Sequence, residues 1–392
     1  MDTQYRVGIN YWPARSAMRW WREFERGEVA QDFARIAAAG ADCVRVFLRW
    51  SDFQPAAATV SELSLQRLVE VADVASTSGL RLIPTLFTGH MSGANWIPTW
   101  ALGARGTGRF PTVAGDEVSD RVPLNWYGDE AVGAAQALLA REAAAALRGH
   151  PALLAWDLGN ENSNVCVPET RDQGRAWLAR IAAAIRAADA SAQITIGLHM
   201  EDLEEDRRIR PAEAAEVSDF LCMHGYPLYA PWARSSVDPL LPAYLAEVTR
   251  WLGRKDVLFE EFGMPSRTAD EEDAADIYTA AALDALHDAA TTGALLWCFS
   301  DYAPSLWDRA PFVQAPHERF FGLWHADGRA KPAVRHLARY MGVARRPPGP
   351  DAVWVDIPRE RFYDDPAANL RRMYTRYVRE GAVSTPRSPA TP

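Results

Sequence analysis

Apolar runs rich in β-branched and aromatic residues, each bounded by turn residues, recur eight times along the chain. They lie at residues 6–12, 43–50, 81–87, 153–161, 194–199, 219–227, 257–263 and 293–302, each about the length of one strand. Their starts fall mostly 36 to 41 residues apart, with one interval of 25 and one of 72. Most of the gaps hold Ala-, Leu- and Arg-rich segments whose apolar positions repeat at helical spacing. Three of these close on a glycine, 28–39 before Gly40, 63–78 before Gly79 and 130–148 before Gly149, the residue that most easily adopts the left-handed conformation ending a helix. Strand and helix in strict alternation predict a parallel sheet, and eight units predict a (β/α)8 TIM barrel with its functional groups at the C-terminal strand ends. An open doubly wound sheet shares the alternation. Its Gly-x-Gly-x-x-Gly turn is missing after the first run, where Gly8-Ile9-Asn10-Tyr11-Trp12 stands.

Two stretches depart from the repeat. The 72-residue interval leaves a long insertion after the third strand, residues 88–128, rich in glycine and aromatics, and long loops on that face usually shape a binding site. Beyond the barrel, Arg346-Pro347-Pro348-Gly349-Pro350 opens a tail with further apolar residues. The expected organisation is therefore one catalytic barrel over 1–345, an extension packed on it over 346–383, and a disordered Ser/Thr/Pro-rich end over 384–392.

Composition narrows the function. Against 51 acidic residues there are 42 Lys and Arg, a net charge of −9, the opposite of the basic footprint of a nucleic-acid binder. No apolar run is long enough to span a bilayer, and the first residues have neither a basic nor an apolar signal region. No membrane partner and a cytoplasmic location are expected, with the oligomeric state left open. Three of the cysteines, Cys43, Cys222 and Cys298, sit inside apolar runs, and with Cys166 they are expected to be reduced and structural.

The chemistry lies at two strand ends. The fourth run ends Trp156-Asp157-Leu158-Gly159-Asn160-Glu161, delivering an amide and a carboxylate to the barrel mouth. The seventh reads Val257-Leu258-Phe259-Glu260-Glu261-Phe262-Gly263. Two carboxylates ending a buried strand are expensive as mere structure, because an unpaired buried charge is costly. Side chains alternate along a strand, so Glu260 and Glu261 are not expected to share the mouth: one is catalytic, the other paired or outward. Carboxylates on different strands, about 5 to 5.5 Å apart, make the acid and nucleophile of a retaining glycosidase.

Asn-Glu on the fourth strand followed by Glu-Phe-Gly on the seventh resembles clan A of the glycoside hydrolases, and within it family 5. The resemblance covers roughly residues 5–342. It implies Glu161 as acid/base, Asn160 as ligand of the sugar 2-hydroxyl, and Glu261 as nucleophile. It implies Arg45, within Cys43-Val44-Arg45-Val46-Phe47, as the cation beside the nucleophile. His224 and Tyr226, within Met223-His224-Gly225-Tyr226-Pro227, match the sixth-strand pair beside the two carboxylates, and Trp297 the floor of the sugar site. His90 matches a sugar-binding histidine of some members, or is an ordinary loop histidine. Trp96, Trp100 and Trp126 either stack on sugar rings or hold the insertion together. The opening Gly8-Ile9-Asn10-Tyr11-Trp12-Pro13 and the tail are similar to the β-mannosidase-like members, which implies an exo-acting enzyme on manno-oligosaccharides or Man-β-1,4-GlcNAc. An endo-acting β-1,4-mannanase or β-glucanase is the alternative.

No cofactor or metal is implied, and an oligosaccharide or glycoside is the expected partner. A metal-dependent barrel hydrolase would have to draw on His199, His224 and Asp301, without a His-x-His pair on the first strand. A non-catalytic sugar-binding barrel would be expected to lack one of the two carboxylates.

Overall fold

The computed structural model describes residues 3–349 and 353–381; the end segment 384–392 lies outside them. Eight parallel strands close into a barrel: β1 Arg6–Tyr11, β2 Cys43–Phe47, β3 Arg81–Phe87, β4 Trp156–Asn160, β5 Ile194–His199, β6 Leu221–His224, β7 Val257–Phe262 and β8 Gly293–Leu296. Each pairs with its sequence neighbours, and β1 closes the ring on β8 with Gly8 opposite Leu295. The predicted barrel is the observed one. The predicted runs overshoot at several ends: after Phe47 the chain makes a helical turn, Trp50–Phe53, and β6 and β8 stop at His224 and Leu296.

Helices α1 Arg26–Ala38, α2 Glu62–Thr77, α3 Glu130–Ala146, α4 Arg171–Ala188, α5 Pro211–Val217, α6 Leu240–Gly253 and α7 Ala269–Asp288 form the outer layer. Gly40, Gly79 and Gly149 follow the first three with φ of 97°, 73° and 67°, the left-handed stop the sequence implied. Starts are capped as well. Asp129 accepts from the Ala131 and Val132 amides, and Thr170 and Thr268 form reciprocal capping boxes with Gln173 and Glu271. In the eighth unit a 3-10 run, Pro332–Tyr340, takes the helix's place, packed on α7 and β1.

The barrel interior is layered. Cys43, Ile83, Cys222, Leu258 and Leu295 form a small buried apolar cluster. Arg45, His224, Glu260 and Trp297 each follow a member of it by two residues, so they share its face and stand one layer nearer the mouth. All four cysteines are free thiols.

Alternation fails at one place on β7. Met223 of β6 pairs with Phe259, but the next residue, His224, pairs with Glu261; on the other side Phe259 pairs with Ala294 and Phe262 with Leu296. One extra residue is therefore accommodated in β7, a bulge. Both Glu260 and Glu261 consequently reach Arg45 and His224 inside the barrel. Only Glu261 lines the mouth, and Glu260 is the paired member of the two, held inside the barrel rather than facing the helical layer.

The insertion after β3 is folded rather than irregular. Four short strands, His90–Met91, Ala94–Trp96, Thr112–Ala114 and Glu117–Ser119, make a small sheet, and Leu102–Arg105 pairs with Arg121–Pro123. In the tail, α8 (Pro366–Arg376) lies against α6, where the Tyr244 hydroxyl donates to the Leu370 carbonyl at 2.6 Å. The Tyr363 hydroxyl donates to the Asp202 carbonyl at 2.8 Å, reaching the helical turn Glu201–Glu204 after β5. Among the described residues no helix is long and apolar enough to cross a membrane.

Candidate active site

Arg45 is the hub beneath the barrel mouth. Fully buried on β2, it donates from Nη1 to Glu261 Oε1 at 2.5 Å, from Nη2 to Asp157 Oδ2 at 2.6 Å and Asn160 Oδ1 at 2.8 Å, and from Nε to Thr85 Oγ1 at 2.9 Å. Glu260 Oε1 lies 3.3 Å from its Nε. A guanidinium has five N–H donors in a rigid fork and does not lose its charge, so it can hold three carboxylates of three different strand positions in fixed directions. Asn10 completes the frame, accepting from Arg45 Nη1 at 3.2 Å and donating to the backbone carbonyls of Glu260 at 2.9 Å and Leu296 at 3.1 Å.

Above this frame stand Glu161, His224 and Glu261, with one ligand atom of each within 4.8 Å of the others. Glu161 follows β4 in left-handed backbone conformation, φ 48° and ψ 45°, which costs a non-glycine residue about 1–3 kcal/mol and is typical of functional positions. Its amide donates to the Gly197 carbonyl at 3.0 Å, and Asn164 Nδ2 donates to Oε2 at 3.0 Å. His224 Nδ1 lies 3.1 Å from Glu161 Oε1 and 3.6 Å from Glu261 Oε1, while Nε2 lies 3.3 Å from Glu260 Oε2. The Tyr226 hydroxyl donates to Glu261 Oε2 at 2.8 Å.

These charges titrate together. Burial alone would depress His224, but Glu261's charge and the bonds to Glu161 and Glu260 push it up to about 10, so the ring is an imidazolium at neutral pH. Burial pushes Glu261 upward, with Glu161's charge adding to it, and outweighs the pull of His224, Arg45 and Tyr226. For Glu161 burial is outweighed by the imidazoles of His199, His224 and His90, which hold its carboxyl low. Burial and the imidazoles therefore set Glu261 above Glu161 in proton affinity.

The predicted residues separate into three groups. Glu161, Glu261, Asn160, His90, His224, Tyr226 and Trp297 all line one cavity of about 550 Å³ at the C-terminal ends of the strands, a size usual for a small-molecule site. Arg45 touches the carboxylates from below and does not face the cavity. Trp96 and Trp126 do not reach it either: each is 2% exposed, with Trp96 Nε1 donating to the Met91 carbonyl at 3.2 Å and Trp126 edge-on to Trp50 at 6.0 Å. Trp100 packs on the same Trp50 at 5.2 Å. Apolar burial beneath the insertion claims these indoles, so they anchor that segment rather than present a stacking face. Among aromatics of the insertion, Phe110 lines the cavity, its ring 4.3 Å from that of His90.

Other residues of the site gave no motif signal. Asn164, Glu201, Tyr229 and Glu318 line the cavity from short helical turns beyond the strands, where polar residues are common. Asp157, one polar residue of an apolar strand, accepts from Arg45 and Thr85 beneath the cavity. The metal-ligand set His199, His224 and Asp301 is not assembled, since Asp301 Oδ1 accepts from Lys331 Nζ at 2.8 Å and from the Gly322 amide at 2.9 Å. Glu161, His224 and Glu261 are clustered closely enough to hold an ion, and Arg45 and Tyr226 already engage both oxygens of Glu261.

The insertion walls the cavity. Arg109 makes a two-pronged ion pair with Glu201 beyond β5, and on the other side a Cβ at Gly93 would lie 3.4 Å from that of Ala315 in the segment after β8.

A family model described as cellulase (glycosyl hydrolase family 5) matches residues 7–303. Among solved structures, the chain is similar to the exo-β-1,4-mannosidase Op5Man5 from Opitutaceae bacterium strain TAV5, at 28% identity and a TM-score of 0.74, over 86% of this chain and 59% of that one. The chain thus spans under two thirds of that protein's length. A GH5_18 variant from Streptomyces cattleya in complex with Manβ1-4GlcNAc is similar at 25% identity and a TM-score of 0.80, over 97% of this chain and 92% of that one. The endo-1,4-β-mannanase from Rhizomucor miehei shares the fold, at 15% identity and a TM-score of 0.59 over 87% and 96%. No curated protein sequence matches.

Proposed function

The chain belongs to glycosyl hydrolase family 5, and from that premise we propose that it is a retaining β-glycosidase acting as an exo-β-mannosidase on short β-mannosides, with Glu161 as acid/base and Glu261 as nucleophile. The observation that carries the mechanism is the 4.8 Å cluster of Glu161, His224 and Glu261. Carboxyl groups about 5 to 5.5 Å apart leave no room for a water between them and the sugar, which an inverting enzyme needs at about 6.5–9.5 Å.

In the first step a Glu261 oxygen bonds to the anomeric carbon while the glycosidic bond breaks and its oxygen takes a proton from Glu161. In the second, water attacks the glycosyl-enzyme, Glu161 takes the water's proton, and Glu261 leaves with its electron pair. The cycle begins with the proton on Glu161 and a charge on Glu261, against the order in which burial and the imidazoles set the two carboxyls. Positive charge developing at the anomeric carbon favours the Glu261 anion. His224 Nδ1, within reach of both carboxylates, is the path by which the proton returns to Glu161. Arg45 and Tyr226 hold Glu261 in line for attack.

Exo action is supported by the walls that the insertion builds through Gly93 and Arg109, which leave room for a chain end rather than a chain running through. Mannose as the glycone is supported by the similarity to an exo-β-1,4-mannosidase at 28% identity and to a GH5_18 protein bound to Manβ1-4GlcNAc at 25%.

The test is a panel of aryl β-mannoside, β-glucoside and β-galactoside, with the product anomer followed by NMR. The β-mannoside should be turned over fastest, with a β-anomer as first product, and a manno-oligosaccharide should release monosaccharide from the earliest time point. An α-anomer would overturn the retaining mechanism, early mixed di- and trisaccharides the exo reading, and preference for another glycone the mannosidase reading.

A further inference from the structure

One buried carboxylate of the cavity has no part in the double displacement. Glu318 lies in the 3-10 turn Pro316–Phe320 beyond β8, is 7% exposed and lines the same cavity as Glu261 and Trp297. Its segment is fixed to the barrel rim. Cys298 donates its amide to the Phe321 carbonyl at 3.1 Å, Leu323 returns a bond to Cys298 at 3.0 Å, and Ser266 bonds Phe320 at 2.9 Å. The carboxylate is also oriented. Tyr229 donates its hydroxyl to Glu318 Oε1 at 2.9 Å, and His317 Nε2 lies 2.6 Å from the same hydroxyl. A phenol has one hydrogen, so the imidazole must donate to Tyr229 for Tyr229 to donate to Glu318. The relay His317, Tyr229, Glu318 thus ends on an acceptor facing the cavity.

A carboxylate is a costly way to hold a loop, since burial and the Glu261 charge hold Glu318 up at about 7. With about four lone-pair positions on two oxygens it can take bonds from adjacent hydroxyls at once, where an amide has one accepting oxygen.

We propose that Glu318 is a specificity-determining residue, accepting hydrogen bonds from hydroxyls of the bound sugar beside Trp297. This rests on the glycosidase reading above.

The test pairs substitutions with deoxygenated substrates. Wild type, Glu318→Ala and Glu318→Gln are assayed on the aryl β-glycoside the wild type turns over best and on its 3-, 4- and 6-deoxy analogues. For the wild type, loss of one of these hydroxyls should cost about 10- to 100-fold in kcat/KM. On Glu318→Ala the same loss should cost under about 3-fold, since the partner is already gone. Glu318→Gln, of nearly the same shape, should fall between and serves alone if the alanine variant does not fold. Equal deoxy penalties in all three proteins would make Glu318 a loop brace and overturn the inference while leaving the glycosidase reading intact. A wild type that turns over no aryl β-glycoside would overturn that reading and this inference with it.

Discussion

Glu260 and Glu261 both meet Arg45, at Nε and at Nη1, yet only Glu261 also meets Tyr226 and the cavity, and Glu260 is sealed at 0% exposure against Arg45 and His224. Two residues of one type, adjacent in sequence, are separated by what surrounds them. A 2-deoxy-2-fluoro glycosyl fluoride should therefore label Glu261, and Glu261→Gln should lose about 10⁴-fold or more in kcat. With Glu161→Ala, an activated aryl glycoside should keep much of its first step, and azide should restore turnover and give a β-glycosyl azide. Peptide mapping of a label onto Glu260, or no azide product, would refute the assignments. Arg45, His224 and Glu261 were legible because each is polar in a run that is otherwise apolar, as Arg45 is between Val44 and Val46. Asn164 and Glu318 lie in turns, where a polar side chain draws no notice, and only the folded chain aims them.

At the level of elements, the strand and helix periods predicted nearly every barrel unit, because both depend on local spacing and on glycines that stop helices. Strand ends were less legible. Residues 225–227 and 297–302 continue their apolar runs but leave the ladder where the barrel flares. The bulge in β7 was invisible, since alternation is the assumption by which a strand is read. Small residues then make room for the site. A Cβ at Gly197 in β5 would lie 3.0 Å from the His224 ring and 3.0 Å from the Gly159 carbonyl, tighter than a buried imidazole between two carboxylates tolerates. Gly197→Ala should thus lower kcat more than it raises KM and shift the acid limb of the pH–rate profile, with an overpacking cost of about 1–3 kcal/mol. An unchanged profile in a folded variant would show that His224 has slack to move.

Over the whole molecule, buried carboxyls tie stability to pH. Burial raises Asp32 to about 7, Asp301 to about 6 and Glu318 to about 7, against about 4 in an unfolded chain. A raised native pKa means the folded protein binds the proton more tightly. Its contribution is complete below about pH 4 and is lost as pH rises through 6 to 7. His224, raised to about 10, adds the same sign over a higher range, complete below about 6.5. Glu161 and Glu260 are held low, so theirs is lost only below the ordinary carboxylate range. Thermal melts should give a lower Tm at pH 8 than at pH 5.5, and a Tm that rises over that interval would contradict this balance.

The wall formed by Arg109 with Glu201 and by Gly93 against Ala315 also bears on traffic. Under the exo reading proposed above, the chain end enters and leaves the cavity by one route. In the proposed double displacement the leaving chain must withdraw before water reaches the glycosyl-enzyme, and the freed sugar must follow it out before the next chain end enters. On that reading no stretch of polymer slides through while remaining held, and the substrate is released after every cut. A long chain would shorten by one unit per encounter, the whole population trimmed in step. The released monosaccharide competes for the same entrance, which couples the rate to how fast something downstream removes it.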